Sequence, residues 1–126
     1  MNIIPCMRCQ EMKRSLDFYT NVLDFKHHGT WPETGSPSFS ILSREGAGLH
    51  LSSHSGDGTY GNVASVMVRN IDQLFQQYLA RGLNAKAKME SPVHQGPTDQ
   101  TWGTREFYVD DPDGNTLRFI QLSAPE

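Results

Sequence analysis

The sequence lacks any long hydrophobic run. None approaches the ~20 consecutive apolar residues a membrane-spanning helix needs, which excludes an integral helical membrane protein. A basic excess is also missing. Eleven Lys and Arg stand against fourteen Asp and Glu, for a net charge of −3, so there is no electrostatic footprint for nucleic acid. The opening "MNIIPCMRCQEMKR" has no charged-then-apolar layout of a secretory signal, and a soluble cytoplasmic protein is expected. Cysteine is scarce. Its two copies form "CMRC" (Cys6, Cys9) within an apolar segment that reads as a strand. Residues three apart in a strand lie ~10 Å apart on opposite faces, beyond the roughly 7 Å a disulfide spans. Two inert thiols are expected. No nucleophile–base pair is visible. "GDGTYGN" lacks the preceding strand and following helix of a dinucleotide motif.

What is present suits one globular domain: 126 residues, 37% hydrophobic and 20% charged. Residues 3–9 read as a strand. In "EMKRSLDFYTNVLDF", Met12, Leu16, Tyr19 and Leu23 make one helical stripe. Residues 25–31 and 38–43 suit strands, and the second alternates with Phe39 and Ile41 on one face. Gly46–Gly48 suits a turn and residues 49–53 the next strand. "HSGDGTYGN" reads as a linker.

Then the pattern restarts. Residues 62–69 read as a strand. "NIDQLFQQYLARG" reads as a helix with Asn70 as N-cap, Gln73 completing a capping box and Gly82 as the stop. Ile71, Leu74, Phe75, Tyr78 and Leu79 form its buried stripe. Residues 84–90 are expected to be a strand, "SPVHQGPTDQTWG" a loop, 104–110 a strand, "DPDG" a hairpin turn and 115–122 the last strand. The chain is therefore expected to be a single α+β domain of two βαβββ repeats, about 1–56 and 62–126. His50 in Leu-His-Leu and Arg118 in Leu-Arg-Phe take equivalent places near the two repeat ends. Leu49, Leu51, Leu117 and Phe119 should pack under the helices, leaving His50 and Arg118 on the other face. If the sheets curve, that face lines a cleft.

This layout resembles the glyoxalase/bleomycin-resistance/dioxygenase (vicinal oxygen chelate) superfamily. "SLDFYTNVLDF" is similar to its first-helix signature and "WGTREFYVDDPDGNTLRFIQ" to its C-terminal one. The resemblance implies curved mixed sheets and a homodimer. The superfamily's metalloenzymes hold a metal at four positions, which carry over to Ile4 (or Pro5), His50, Val63 (or Ser65) and Arg118. Only His50 is a metal-binding residue there. Arg118 is permanently cationic and has no acceptor, and one ligand does not make a site. His27, His28, His54 and His94 fall on none of the four positions. The resemblance therefore implies no metal, no cofactor and no catalytic residue.

The bleomycin-resistance branch also lacks that ligand set. It opens on a Pro-containing strand, as Ile4-Pro5-Cys6-Met7 does, and "WGTREF" resembles its Trp-Gly-Arg-Glu-Phe string with one residue inserted. That branch sequesters the drug as a dimer, stacking its flat bithiazole tail between aromatic rings. Phe39 and Trp102 match the sandwich, while Ser65 replaces another cleft aromatic. The implied ligand-binding set is Phe39, His50, Ser65, Trp102, Gly103, Arg118, Trp31 and Phe107. Five have a structural alternative: Phe39 as core, His50 as a solvated residue, Trp102 as a loop anchor, Gly103 as a plain turn, Arg118 as a partner of Glu106. Trp31 reads as a loop residue forming a cleft wall. Glu33, Asp57 and Asp99 suit either attraction of a cationic drug or plain solvation. The function implied is sequestration of a bleomycin-like small molecule without chemistry. A metal-dependent glyoxalase-like lyase or dioxygenase, or a binder of another planar natural product, is the alternative.

Overall fold

The computed structural model describes residues 1–122. They form two compact units. The first comprises Met1–Asn62 together with Asp110–Asn115; the second comprises Val63–Val109 and, of the described residues, 116–122. Each carries a four-stranded mixed sheet of the same topology, and together they give the expected α+β architecture of two βαβββ-like units.

In the first unit the elements are β1 (Cys6–Arg8), α1 (Met12–Asp17), β2 (Lys26–Trp31), β3 (Phe39–Arg44) and β4 (Ala47–Ser52). The sheet order is β1-β4-β3-β2, with β1 parallel to β4 and the other pairs antiparallel. Strand alternation sends Met7, Leu42, Leu49 and Leu51 to the helix side, where all are buried with Tyr19 and Leu23. The helical stripe extends as expected, but not as one α-helix. After Asp17 the chain widens into a π-helical turn, Phe18–Val22, in which Leu23 N donates to Phe18 O at 3.2 Å.

The second unit contains β5 (Val63–Met67), α2 (Ile71–Ala80), a short α3 (Pro92–Gln95), β6 (Thr98–Asp99), β7 (Thr104–Asp110) and β8 (Thr116–Leu122). The sheet order is β5-β8-β7-β6, and β5 runs parallel to β8. Leu117 and Phe119 are buried beneath α2, as the alternation requires, among Ile71, Leu74, Phe75 and Tyr78. The rings of Phe107 and Phe119 stack at 4.9 Å, with Tyr78 edge-on to both. No helix among the described residues is long and apolar enough to cross a membrane.

Three local expectations are corrected. Residues 84–90 form no strand; the edge position of this sheet is taken by Thr98–Asp99, paired with Arg105 and Glu106. Asn70 makes no side-chain capping bond. The first backbone N–H of α2, on Ile71, donates instead to Gln121 Oε1 at 2.8 Å. The "DPDG" turn is more than a reversal between β7 and β8, because its side chains complete the first unit. Asp111 accepts from Tyr19 Oη at 2.7 Å and from the backbone N–H groups of Asp113 and Asn115. Asp113 accepts from Gln10 N, Arg14 and Ser15 Oγ. Asn115, 1% exposed, accepts from Gly61 N and Asn62 N and donates to Arg8 O and Asp111 Oδ2. Every polar atom of its amide is thus used inside the fold.

Candidate functional site

Each sheet buries one face beneath its helix and leaves the other open. In the first unit this open face gathers three of the predicted residues. Trp31 pairs with Phe39 across β2 and β3, and the Phe39 ring meets His50 edge-on at 4.9 Å. Trp31 is the last residue of β2 rather than part of a loop, and it is 52% exposed. It folds back over Gly29. A Cβ on Gly29 would sit 2.6 Å from the indole Cη2, so the glycine makes room for the ring. Phe39 and His50 are half-buried, which suits a shelf better than a core.

The register also corrects the metal-position transfer. The residue of β1 facing His50 is Cys6, not Ile4 or Pro5. Burial raises the Cys6 thiol above its ordinary value, with the charge of Asp57 adding to it, and burial pushes Cys9 up to about 11. Both cysteines are free; Cys6 is half-buried and Cys9 is buried. Both thiols are therefore held away from the reactive thiolate.

In the second unit the open face gathers Ser65, Arg118 and Trp102. Ser65 faces Arg118 across β5 and β8, as Cys6 faces His50 in the first sheet. Glu106, 3% exposed, organises this face. Its Oε2 accepts from Trp102 Nε1 at 3.1 Å and Thr104 Oγ1 at 2.6 Å, and its Oε1 accepts from Tyr108 Oη at 3.0 Å. Burial alone would raise the Glu106 pKa. The three donors and the nearby charge of Arg118 outweigh it and hold the carboxyl below its ordinary range. Burial and Glu106 raise the Tyr108 phenol in turn. Arg118 lies over the Tyr108 ring, 4.9 Å from its centre, so cation–π contact rather than a direct Glu106 bond holds it.

Trp102 is anchored and exposed at once. Its indole nitrogen is tied to Glu106, while the residue is 65% exposed. Gly103 serves a turn: φ is +92°, and a Cβ there would meet nothing within 4 Å. Phe107 is a correction. It is fully buried in the α2-side core, because strand alternation sends it opposite to Glu106 and Tyr108. Tyr108 was missed, although the same two-residue alternation pointed to it. The loop carboxylates divide: Asp99 binds Arg105 and Asp57 accepts from Ser52 Oγ, while Glu33 is exposed.

Three of the other four histidines have local side-chain partners. His27 meets Thr30, His28 meets Ser43, and His94 meets Ser91 and the edge of Tyr108. Among the described residues, no group of three His, Cys, Asp or Glu side chains could hold a metal ion. On the helix side of the first unit an open cavity of about 590 Å³ lies between α1, β2 and residues 32–38, floored by Met12 and Leu16.

Two four-stranded mixed sheets, each with a helix on one side and a polar–aromatic face on the other, define a small α+β protein of the vicinal-oxygen-chelate type. The chain belongs to the glyoxalase superfamily: the model described as "Glyoxalase superfamily protein" matches residues 1–125. Three solved structures share the fold. A bleomycin resistance determinant encoded on the transposon Tn5 is 20% identical, with TM-score 0.76, covering 98% of this chain and 99% of that one. TnmS3, an antibiotic binding protein from Streptomyces sp. CB03234, is 19% identical, with TM-score 0.69 and coverage of 95% and 93%. The bleomycin-binding protein from bleomycin-producing Streptomyces verticillus, complexed with copper(II)-bleomycin, is 24% identical, with TM-score 0.67 and coverage of 100% and 97%. At these identities the likeness is one of fold. No curated protein matches the chain.

Proposed function

We propose that this protein is a homodimeric small-molecule binder that sequesters bleomycin-type antibiotics by reversible burial, without chemical modification. The observation that carries the reading is Trp102. Its indole edge is tied to a buried carboxylate while much of the residue remains exposed. An aromatic fixed in this way offers a stacking surface without paying to order the ring on binding. The Trp31–Phe39–His50 shelf on the first sheet supports the same use. The solved structures of antibiotic-binding proteins with this fold make a bleomycin-type drug the first ligand to test. The residues at the superfamily's metal positions argue against its enzymes, since Arg118 offers a cation where a ligand would stand.

The test is a calorimetric titration of the protein with metal-free bleomycin. Submicromolar binding is expected, at one or two drug molecules per dimer. Trp102→Ala should weaken it by roughly three- to tenfold, the stacking contribution of one ring, and, by taking one of three donors from the buried Glu106 carboxylate, should lower the melting temperature by only a few degrees. No heat from an intact dimer would refute the bleomycin reading. A large fall in melting temperature would make Trp102 a structural anchor instead.

A further inference from the structure

Arg118 is exposed on β8 of the second sheet, and among the described residues its guanidinium makes no hydrogen bond and no ion pair. Its close partner is the Tyr108 ring, which holds the plane at 4.9 Å without using a single N–H donor. Arg105, in the same sheet, is built the opposite way. It spends its donors on Asp72, at 2.8 and 3.1 Å, and on Asp99, at 3.2 Å. The carboxylate best placed to take up the donors of Arg118 is Glu106, and three other donors already occupy it.

A face that selects cationic ligands would leave its carboxylate open and tie up its guanidinium. Here the carboxylate is tied up and the guanidinium is open. A flat ligand stacked on Trp102 would reach the same side-chain network, because Trp102 and Tyr108 share Glu106 and Tyr108 carries Arg118. Covering Arg118 with a neutral or cationic ring would strip water from N–H donors that no acceptor in the fold satisfies, at a cost. A carboxylate on the ring removes that cost through a bidentate, charge-assisted pair with the planar fork.

We propose that Arg118 is a specificity residue that selects aromatic ligands carrying a carboxylate, the acid docking on its guanidinium and the ring on Trp102. This rests on the reading of the protein as a binder that stacks planar small molecules on Trp102, but not on bleomycin as the ligand: it favours an acidic planar ligand over a cationic drug of the bleomycin type.

The experiment titrates the wild-type protein, Arg118→Gln and Trp102→Ala with anthraquinone-2-carboxylate and its carboxamide, following the heat of binding by calorimetry. The wild type should bind the acid roughly tenfold or more tightly than the amide. Arg118→Gln should bring the two within about twofold, with circular dichroism and melting unchanged, while Trp102→Ala should weaken both. Arg118→Lys keeps the charge but loses the fork, and should lose most of the preference. If acid and amide bind the wild type equally, or Arg118→Gln keeps the preference, the Arg118 proposal is overturned while the binder reading stands. If neither probe binds, the Arg118 proposal falls, and if bleomycin also gives no heat the binder reading falls with it.

Discussion

Replacing Asn115 gives a sharp check on how the first unit is closed. Its amide makes four hydrogen bonds, at 3.0, 3.0, 2.9 and 2.9 Å, to Gly61 N, Asn62 N, Arg8 O and Asp111 Oδ2. At about 1 kcal/mol each these sum to about 4 kcal/mol. Gly61 is exposed, so water replaces its lost partner in an alanine variant. Asn115→Ala should therefore cost about 3 kcal/mol, a large part of the stability of a domain this size. Asn115→Asp is nearly isosteric and keeps the acceptor for the two backbone N–H groups. It turns the amide nitrogen into a carboxylate oxygen facing the Arg8 carbonyl and the Asp111 carboxylate. Two hydrogen bonds become two repulsions, one of them between like charges. The aspartate variant should be less stable than the alanine variant at neutral pH, although it changes the shape less. Urea unfolding followed by circular dichroism measures both, with the slope showing whether the unfolding unit is unchanged. An aspartate variant as stable as the alanine variant would refute this account of the turn.

Two further predictions concern the open faces. The Glu106 carboxyl is held below its ordinary range, so its contribution to stability is complete above about pH 4.5 and is lost as the pH falls through the lower folded value. The stability gap between the wild type and Glu106→Gln should thus be widest near neutrality and narrow in acid; a gap that widens in acid would contradict the sign. Gly29→Ala should push the exposed Trp31 indole off its strand, since the new methyl would fall 2.6 Å from the ring tip. The expected readout is a shift in tryptophan emission with a loss of stability under about 1 kcal/mol, and an unchanged spectrum would mean the ring does not rest there.

The two-residue alternation made both sheet faces legible in the sequence. Leu49-His50-Leu51 and Leu117-Arg118-Phe119 divide between core and open face as their hydrophobicity requires. Most of the α2 stripe was equally plain, because Ile71, Leu74, Phe75 and Tyr78 follow the helical period, whereas Leu79, expected in the same stripe, is exposed at its edge. Residues 84–90 misled because Ala85, Ala87 and Met89 alternate with polar residues. Alanine has little strand preference and too little surface to anchor a strand, and Met89 is 66% exposed. Asn70 looked like a cap because its type and spacing fit. Gln121, 50 residues away, took the role, and no local pattern encodes that partner. The same limit hid the work of Asp111 and Asp113, whose composition announces a turn but whose partners lie near the start of the chain.

Those partners bear on the order in which the chain is made. Tyr19 and Asp111 are 92 residues apart, and Arg8 and Asn115 are 107. During synthesis the first βαβββ unit emerges with a buried tyrosine hydroxyl and a serine still waiting for acceptors that have not been translated. Such long-range closure is slow to form and leaves the early half exposed meanwhile. A nascent chain stopped after Asn62 would therefore hold an unfinished unit. The duplication in this sequence does not yield two halves that mature in turn: the first is completed by a hairpin turn from the second.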